Sequence, residues 1–306
     1  MKQFLVMAVG VLLAASCSNE SIDRVNNEGT GYGELATVPV MVRVSDFSVV
    51  MDDLSSGKAN SRGADDPASY NGVGALTLAF YDGEGAEVVK LTQVKSDGST
   101  YTTFGAFTAN LPVGTYTMVA LGYNFKDGDA FTLTSPTLAA FTSERPRETF
   151  CKTQSITVTG SSKLNLSVTL NRISSMLNII STDGRPAEAT KIRTTFSKGG
   201  KSFNPTTGLA TVDTGFAQTN NPSTADDAPI SVNSYPFLYS DEETMDITIE
   251  VLDADSNVLS SHTIENVPFM RNRKTTVRGA IYSADASSAG FQLETSWLTP
   301  SDDITF

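Results

Sequence analysis

The sequence has little of the residue types from which catalytic and metal sites are built. Its 306 residues include two cysteines, one histidine and one tryptophan. A single histidine, His262, leaves no basis for a histidine-based triad or zinc centre. Cations are also scarce, since 22 Lys and Arg face 34 Asp and Glu for a formal net charge of −12. Nucleic acid is therefore not expected as a partner, because phosphate binding needs clustered Lys and Arg.

Three features could carry chemistry, and each also has an ordinary structural interpretation. His262 fits a surface or interface residue on a strand, and Cys151 fits a buried small side chain. The segment Asp253–Asn257 spaces oxygen atoms as a Ca²⁺ loop does, but it also fits a hairpin loop between two strands. We expect no catalytic residue, no metal and no cofactor. A hydrolase that uses carboxylates from distant strands is an open alternative.

The N-terminus has the features of a bacterial lipoprotein signal. Lys2 precedes an apolar run from Phe4 to Leu13, and Ala-Ala-Ser leads into Cys17. The apolar run is too short for the ~20 residues of a membrane helix. Residues 1–16 are therefore predicted to be removed. Cys17 is predicted to carry the lipid anchor, and residues 17–36 to form a tether between the lipid and the fold. An ordinary signal peptide is the alternative.

The first strand is predicted from strict alternation after this tether. Val38, Val40, Val42 and Val44 share one face, which is typical of a half-buried strand. Pro39 lies on the other face and lacks an amide hydrogen, which predicts an edge strand. A long polar stretch, residues 52–70, follows, and such stretches usually mark function or disorder.

Most of the remaining chain alternates in the same way and predicts an all-β protein of two sandwiches. Turn residues separate the runs, as in Asp82–Gly85, and no segment has long helical periodicity. The predicted domains are residues 37–170 and 171–306. The predicted strands lie at residues 76–81, 86–91, 107–123 (as a hairpin), 163–170, 176–180, 191–196, 245–252, 260–267, 274–282 and 291–297.

Four motifs in this order resemble the fimbrillin family, the type V pilus subunits of Bacteroidetes. They are Leu-Thr-Leu-Ala-Phe-Tyr-Asp-Gly at 76–83, Leu-Pro-Val-Gly-Thr-Tyr at 111–116, Leu-Asn-Arg-Ile-Ser-Ser-Met-Leu at 170–177 and Val-Pro-Phe-Met-Arg-Asn-Arg at 267–273. The resemblance covers essentially the whole mature chain. It implies two transthyretin-like sandwiches and a structural, adhesive and non-enzymatic role in a fimbrium at the cell surface.

The resemblance also implies a way of assembly, by protease-triggered strand exchange. The lipid on Cys17 would hold the precursor at the outer membrane until a protease cuts after Arg62. The cut would remove residues 37–62, including the strand of Val38, Val40, Val42 and Val44. A C-terminal donor from a neighbouring subunit would fill the groove, with the donor residues Phe291, Leu293, Trp297, Ile304 and Phe306.

Several alternatives stay open at this stage. The first strand could be permanent, as in an anchor subunit, and the chain end could simply close the second sandwich. Stalk, tip and anchor roles are not separated, nor is the host or bacterial surface ligand identified. A surface glycan-binding lipoprotein is the main rival, and it predicts exposed aromatic platforms.

Overall fold

A computed structural model of the chain describes residues 36–48, 50–52, 59–61, 68–98, 101–125, 131–142, 145–160, 162–222, 231–284 and 290–294. Over these ranges the regular structure consists of strands, and no α-helix occurs. The prediction of an all-β protein is confirmed. Across the same ranges, no helix has the length and apolar character needed to cross a membrane.

Eleven strands precede residue 173. Their bounds are β1 Thr37–Ser48, β2 Val50–Asp52, β3 Ala59–Ser61, β4 Ala75–Tyr81, β5 Glu87–Val94, β6 Ala106–Pro112, β7 Gly114–Tyr123, β8 Phe131–Ser135, β9 Leu138–Phe141, β10 Thr149–Val158 and β11 Leu164–Arg172. Short turns join neighbours such as β4 and β5, where the Asp82 carboxylate accepts the amide hydrogens of Glu84 and Ala86. The predicted turn at Asp82–Gly85 is thereby confirmed.

The first sheet has seven strands in the order β5-β4-β7-β10-β11-β1-β6. Strands β10 and β11 pair at two positions only, Phe150 with Arg172 and Cys151 with Asn171. The sheet folds over at this short seam, so β5-β4-β7-β10 and β11-β1-β6 enclose one apolar core. Phe80 and Met118 from the first layer join Val40 and Val42 from the second in that core.

Ten strands follow residue 173. Their bounds are β12 Met176–Ser181, β13 Lys191–Phe196, β14 Ser202–Asn204, β15 Leu209–Ala210, β16 Phe216–Asn220, β17 Ser231–Ser234, β18 Glu242–Leu252, β19 Val258–Met270, β20 Lys274–Gly279 and β21 Gln292–Glu294. Eight of them form two four-stranded sheets, β17-β12-β20-β21 and β16-β13-β18-β19. The two sheets enclose a second core, in which Ile179 and Val277 of one sheet meet Ile249 and Ile264 of the other.

A third assembly, the shared sheet, joins strands from both parts of the chain in the order β15-β14-β9-β8. Phe203 of β14 pairs with Ala139 of β9. This sheet covers the outer face of β4 and β7, where Phe203 and Phe141 are buried with Val119 and Leu121. The predicted domain boundary near residue 170 remains a prediction, because this sheet crosses it.

Two predictions about single residues have opposite outcomes. Cys151 is buried, as expected, and its thiol donates to the Pro205 carbonyl oxygen at 3.2 Å. His262 is not a surface residue: it is 3% exposed and shares the inner face of β19 with Ser260 and Ile264. Its ring centroid lies 5.3 Å from that of Phe291. The surface assignment was wrong because the buried face of β19 includes polar residues, Ser260 and His262, beside Ile264.

The burial of Cys151 generates a test of the packing beneath the shared sheet. Burial raises the pKa of this thiol to about 12, against about 8.5 for a free cysteine. In a Cys17→Ser chain, Cys151 is expected to react with a disulfide reagent at pH 8 at least about a thousandfold more slowly than in denaturant. Labelling of the native chain at the denatured rate would contradict the buried position.

Candidate functional site

The predicted removable strand, β1, lies between two neighbours. It pairs in parallel with β11 from Val40 to Ser48 and antiparallel with β6 from Thr37 to Arg43. The edge-strand prediction is therefore wrong. Pro39 is tolerated because the ladder with β11 begins one residue later, at Val40.

The inner face of β1 is fully incorporated into the first core. Val38, Val40, Val42 and Val44 are 8%, 0%, 1% and 3% exposed. The outer face carries Met41 and Arg43, which are exposed. The alternation in the sequence thus predicts correctly which side chains are inside. At this site an apolar strand occupies a groove between β11 and β6.

The inner row of β1 ends in an aromatic cluster that alternation does not predict. The register shifts between Val44 and Asp46, and Phe47 then points into the core with 2% exposure. Its ring centroid lies 4.9 Å from that of Phe150 and 5.4 Å from that of Tyr70. A Cβ added to Gly122 would come within 2.9 Å of the Phe47 ring, so the glycine provides the space for it.

A buried ion pair supports this cluster from behind. Arg172 Nη2 lies 2.7 Å from Glu148 Oε1, and their side chains are 8% and 2% exposed. The Tyr70 hydroxyl donates to the same Glu148 oxygen at 2.8 Å and accepts from Arg172 at 3.0 Å. The guanidinium also lies 5.2 Å from the centroid of the Phe150 ring, within cation–π range.

The electrostatics of this network favour the ionised pair. Burial, reinforced by the Glu148 charge, raises the pKa of Tyr70, so its hydroxyl keeps its proton. Burial opposes the charge of Arg172, but Glu148, Tyr70 and Tyr235 together outweigh it, and the pKa of Arg172 is raised. Replacing one member would leave the other charge buried without its partner, which is strongly destabilising.

The predicted lipid and cleavage sites, Cys17 and Arg62, lie outside the described residues. The nearest described strands are β2 and β3, which pair as a hairpin from Val50 with Ser61 to Asp52 with Ala59. This hairpin was not predicted, because residues 52–70 form one long polar stretch in the sequence. In the next described range, which begins at residue 68, Tyr70 packs against the first core.

The start of the predicted donor segment lies on the second sandwich of the same chain. Strand β21 pairs antiparallel with β20, Leu293 opposite Val277. The half-buried Phe291 ring covers Gly279, where an added Cβ would overlap the ring. Leu293 is 42% exposed. The other donor residues, Trp297, Ile304 and Phe306, lie outside the described residues.

The described residues do not assemble an obvious reactive site. The Asp253 carboxylate accepts the Asn257 amide hydrogen and side-chain NH₂ at 2.8 Å each, as a hairpin loop requires. Within the described ranges, no group of three His, Cys, Asp or Glu side chains is placed to hold a metal ion. A cleft of about 590 Å³ lies beside the β10–β11 seam, lined by Lys152, Arg172, Arg271 and Asp241 among others. In it, Arg271 pairs with Asp241 at 2.8 Å.

Comparison with known proteins gives similarity of fold at low identity. The fimbrial anchor protein Mfa2 from Porphyromonas gingivalis is 10% identical, with a TM-score of 0.50 over 85% of this chain and 98% of that one. A Bacteroides ovatus protein described as a "putative adhesin" is 10% identical, with a TM-score of 0.47 over 74% and 77%. A fimbrial assembly protein from Parabacteroides distasonis is 10% identical, with a TM-score of 0.38 over 84% and 93%.

At this identity, the likeness to the anchor protein concerns the fold alone. No curated protein matches the chain. A family model does match, over residues 76–297, which is more than half of the sequence. The chain therefore belongs to the family described as "Family of unknown function (DUF6562)".

Proposed function

We propose that this protein is a structural subunit of a surface fimbrium, exported as a lipoprotein through Cys17 and assembled by strand exchange. In this proposal a protease cuts after Arg62, β1 is released, and the C-terminal segment of another subunit takes its place. The proposal includes the two sandwich domains, residues 37–170 and 171–306, and requires no enzymatic activity and no cofactor. Adhesion would follow from the polymer at the outer membrane surface.

The observation that carries the proposal is the position of β1 in both sequence and fold. It is the first of the described strands, yet it lies between β11 and β6 in the sheet. Every other strand of that sheet comes after residue 74, so one cut in the preceding loop would detach a single strand from it. An apolar groove would open between β11, which keeps its two pairs with β10, and β6, which loses its ladder partner.

The energetics support a long-lived contact in the groove. Four buried valines contribute about 1.5–3 kcal/mol each, or on the order of 6–12 kcal/mol before entropy costs. An incoming strand would also pair with the backbone groups of β11 and β6 that lose their partners when β1 is released. The names of the fimbrial anchor and fimbrial assembly proteins among the structural neighbours agree with this role.

The rival glycan-binding function has less support. Aromatic platforms for sugars would require several exposed rings together. Within the described part of the chain, Tyr239 is the one aromatic residue among the exposed large hydrophobic side chains.

A stalk role agrees best with a cut after Arg62 and with the alternating apolar residues of the C-terminal sequence, whereas an anchor would keep β1.

Limited digestion with trypsin tests the cleavage step. We expect an early cut after Arg62, with a fragment that begins at Gly63, because the sequence around it is polar and contains Gly and Ser, as segments that proteases cut first commonly are. Arg172 is buried and Arg193 pairs with Glu250 at 2.6 Å, so both should resist. Arg62→Ala should abolish the Gly63 fragment, whereas the control Lys58→Ala should preserve it. A first cut at Arg172 or Arg193, read by N-terminal sequencing, would contradict the maturation step.

Deletion of residues 299–306 tests donation by the chain end. The truncated protein is expected to fold and reach the surface as a monomer, but to lose the heat-resistant ladders of a fimbrium on gels. As a control that keeps the length and the apolar residues, Ser301→Ala/Thr305→Ala should still polymerise. Loss of the truncated protein through misfolding would instead indicate that these residues close its own sandwich.

A further inference from the structure

The valine row of β1 defines its register only weakly. A strand has a side-chain period of two, so a shift by two residues keeps the same face inward. If Val42 moved into the place of Val44, three of the four buried sites would still hold valine. The groove therefore needs another feature to fix the position of the strand that fills it.

Phe47 supplies a feature that cannot be repeated along the row. It occupies what we call the Phe47 pocket, formed by Tyr70, Leu76, Gly122, Phe150 and Leu170. The two-residue slip would place Ser45 where Phe47 lies. It would leave an aromatic-sized space beside Phe150 and remove Phe47 from its 2% exposed position.

The walls of the Phe47 pocket come from outside β1. All five residues follow the Arg62 loop in the chain. The ion pair of Arg172 and Glu148 holds the Tyr70 hydroxyl at 3.0 and 2.8 Å, and the guanidinium lies over Phe150. Tyr70 and Phe150 are thus held by contacts that do not involve β1.

We propose that the Phe47 pocket sets the register of the strand in this groove and selects a strand that carries an aromatic ring. In the uncut chain the ring is Phe47. In the polymer, which rests on the proposed function, it is an aromatic residue of the C-terminal segment of a second copy. That segment, residues 295–306, has twelve residues, as β1 does. Trp297 and Phe306 lie near its two ends, so in either strand direction one ring lies within one residue of the Phe47 position.

Disulfide trapping in the uncut chain tests the register. Met41 opposes Thr108 of β6 in the structure, and Arg43 opposes Ala106. All four side chains are exposed. A Met41→Cys/Thr108→Cys chain should therefore crosslink in the native register, whereas Met41→Cys/Ala106→Cys should crosslink after the two-residue slip. The ratio of the two yields, measured by mass spectrometry of the peptides, reports the register.

Phe47→Ala is expected to raise the slipped-to-native ratio at least about tenfold, since loss of a buried phenylalanine usually has a larger effect than that. Phe47→Leu, a milder change should the alanine variant fold poorly, should raise it less. Val40→Ala, which also removes buried apolar volume, should leave the ratio unchanged. An unchanged ratio in both Phe47 variants, or an equal rise in Val40→Ala, would overturn the register role.

Polymer formation tests the second copy as occupant. Trp297→Ala/Phe306→Ala should reduce heat-resistant ladders at least about tenfold, because a buried aromatic residue contributes at least that much. The aliphatic control Leu298→Ala should retain them. Normal ladders from the double variant would overturn this occupant but leave the proposed function intact. Absence of ladders in the unaltered chain would refute the proposed function, while the disulfide ratio would still decide the role of the pocket.

Discussion

The double ladder of β1 is the constraint on which the first sandwich depends. Strands β11 and β6 do not pair with each other, and β1 lies between them and joins them into one layer. The same strand fills the core with four valines and Phe47. Without a strand in this place, β6 would lose its ladder partner, and β11 would keep only the two-pair seam with β10. The layer of β11 and β6 therefore holds together only when a strand occupies the β1 position.

The two sandwiches repeat one topology, so the first strand of each can be compared. The layers β5-β4-β7-β10 and β11-β1-β6 have the same order and directions as β16-β13-β18-β19 and β20-β12-β17. Strand β12 corresponds to β1, and each pairs in parallel with the last strand of its own repeat. Releasing β12 would require two cuts, because the chain continues from it on both sides. In the second sandwich, β21 pairs with β20 on the side where β10 meets β11 in the first.

The accuracy of the sequence predictions depended on how local the deciding interaction was. Alternation placed β4, β11 and β13 close to their observed bounds, since each has one continuous apolar face. The shared sheet was not predicted, because β14 and β15 have three and two residues and β14 pairs with β9 some sixty positions earlier. Pro39 suggested an edge strand because it has no amide hydrogen to donate. In the structure the ladder with β11 begins only at Val40, so Pro39 does not interrupt it. Phe47 could not be assigned to the core, because the shift after Val44 changes the alternation and leaves no trace in residue types.

The buried charge pair at the end of the groove fits a role in geometry better than a role in stability. Removing two charges from water costs about as much as their attraction returns, so a buried pair adds little net stability. Arg172 and Glu148 are nevertheless positioned where β10 and β11 meet, and Arg172 also donates to Asn272 of the second sandwich at 3.3 Å. Through Tyr70 the pair holds the chain where it returns from the Arg62 loop. A cut after Arg62 would free β1 while Tyr70 stayed fixed to this pair, so the Tyr70 side of the groove would keep its place.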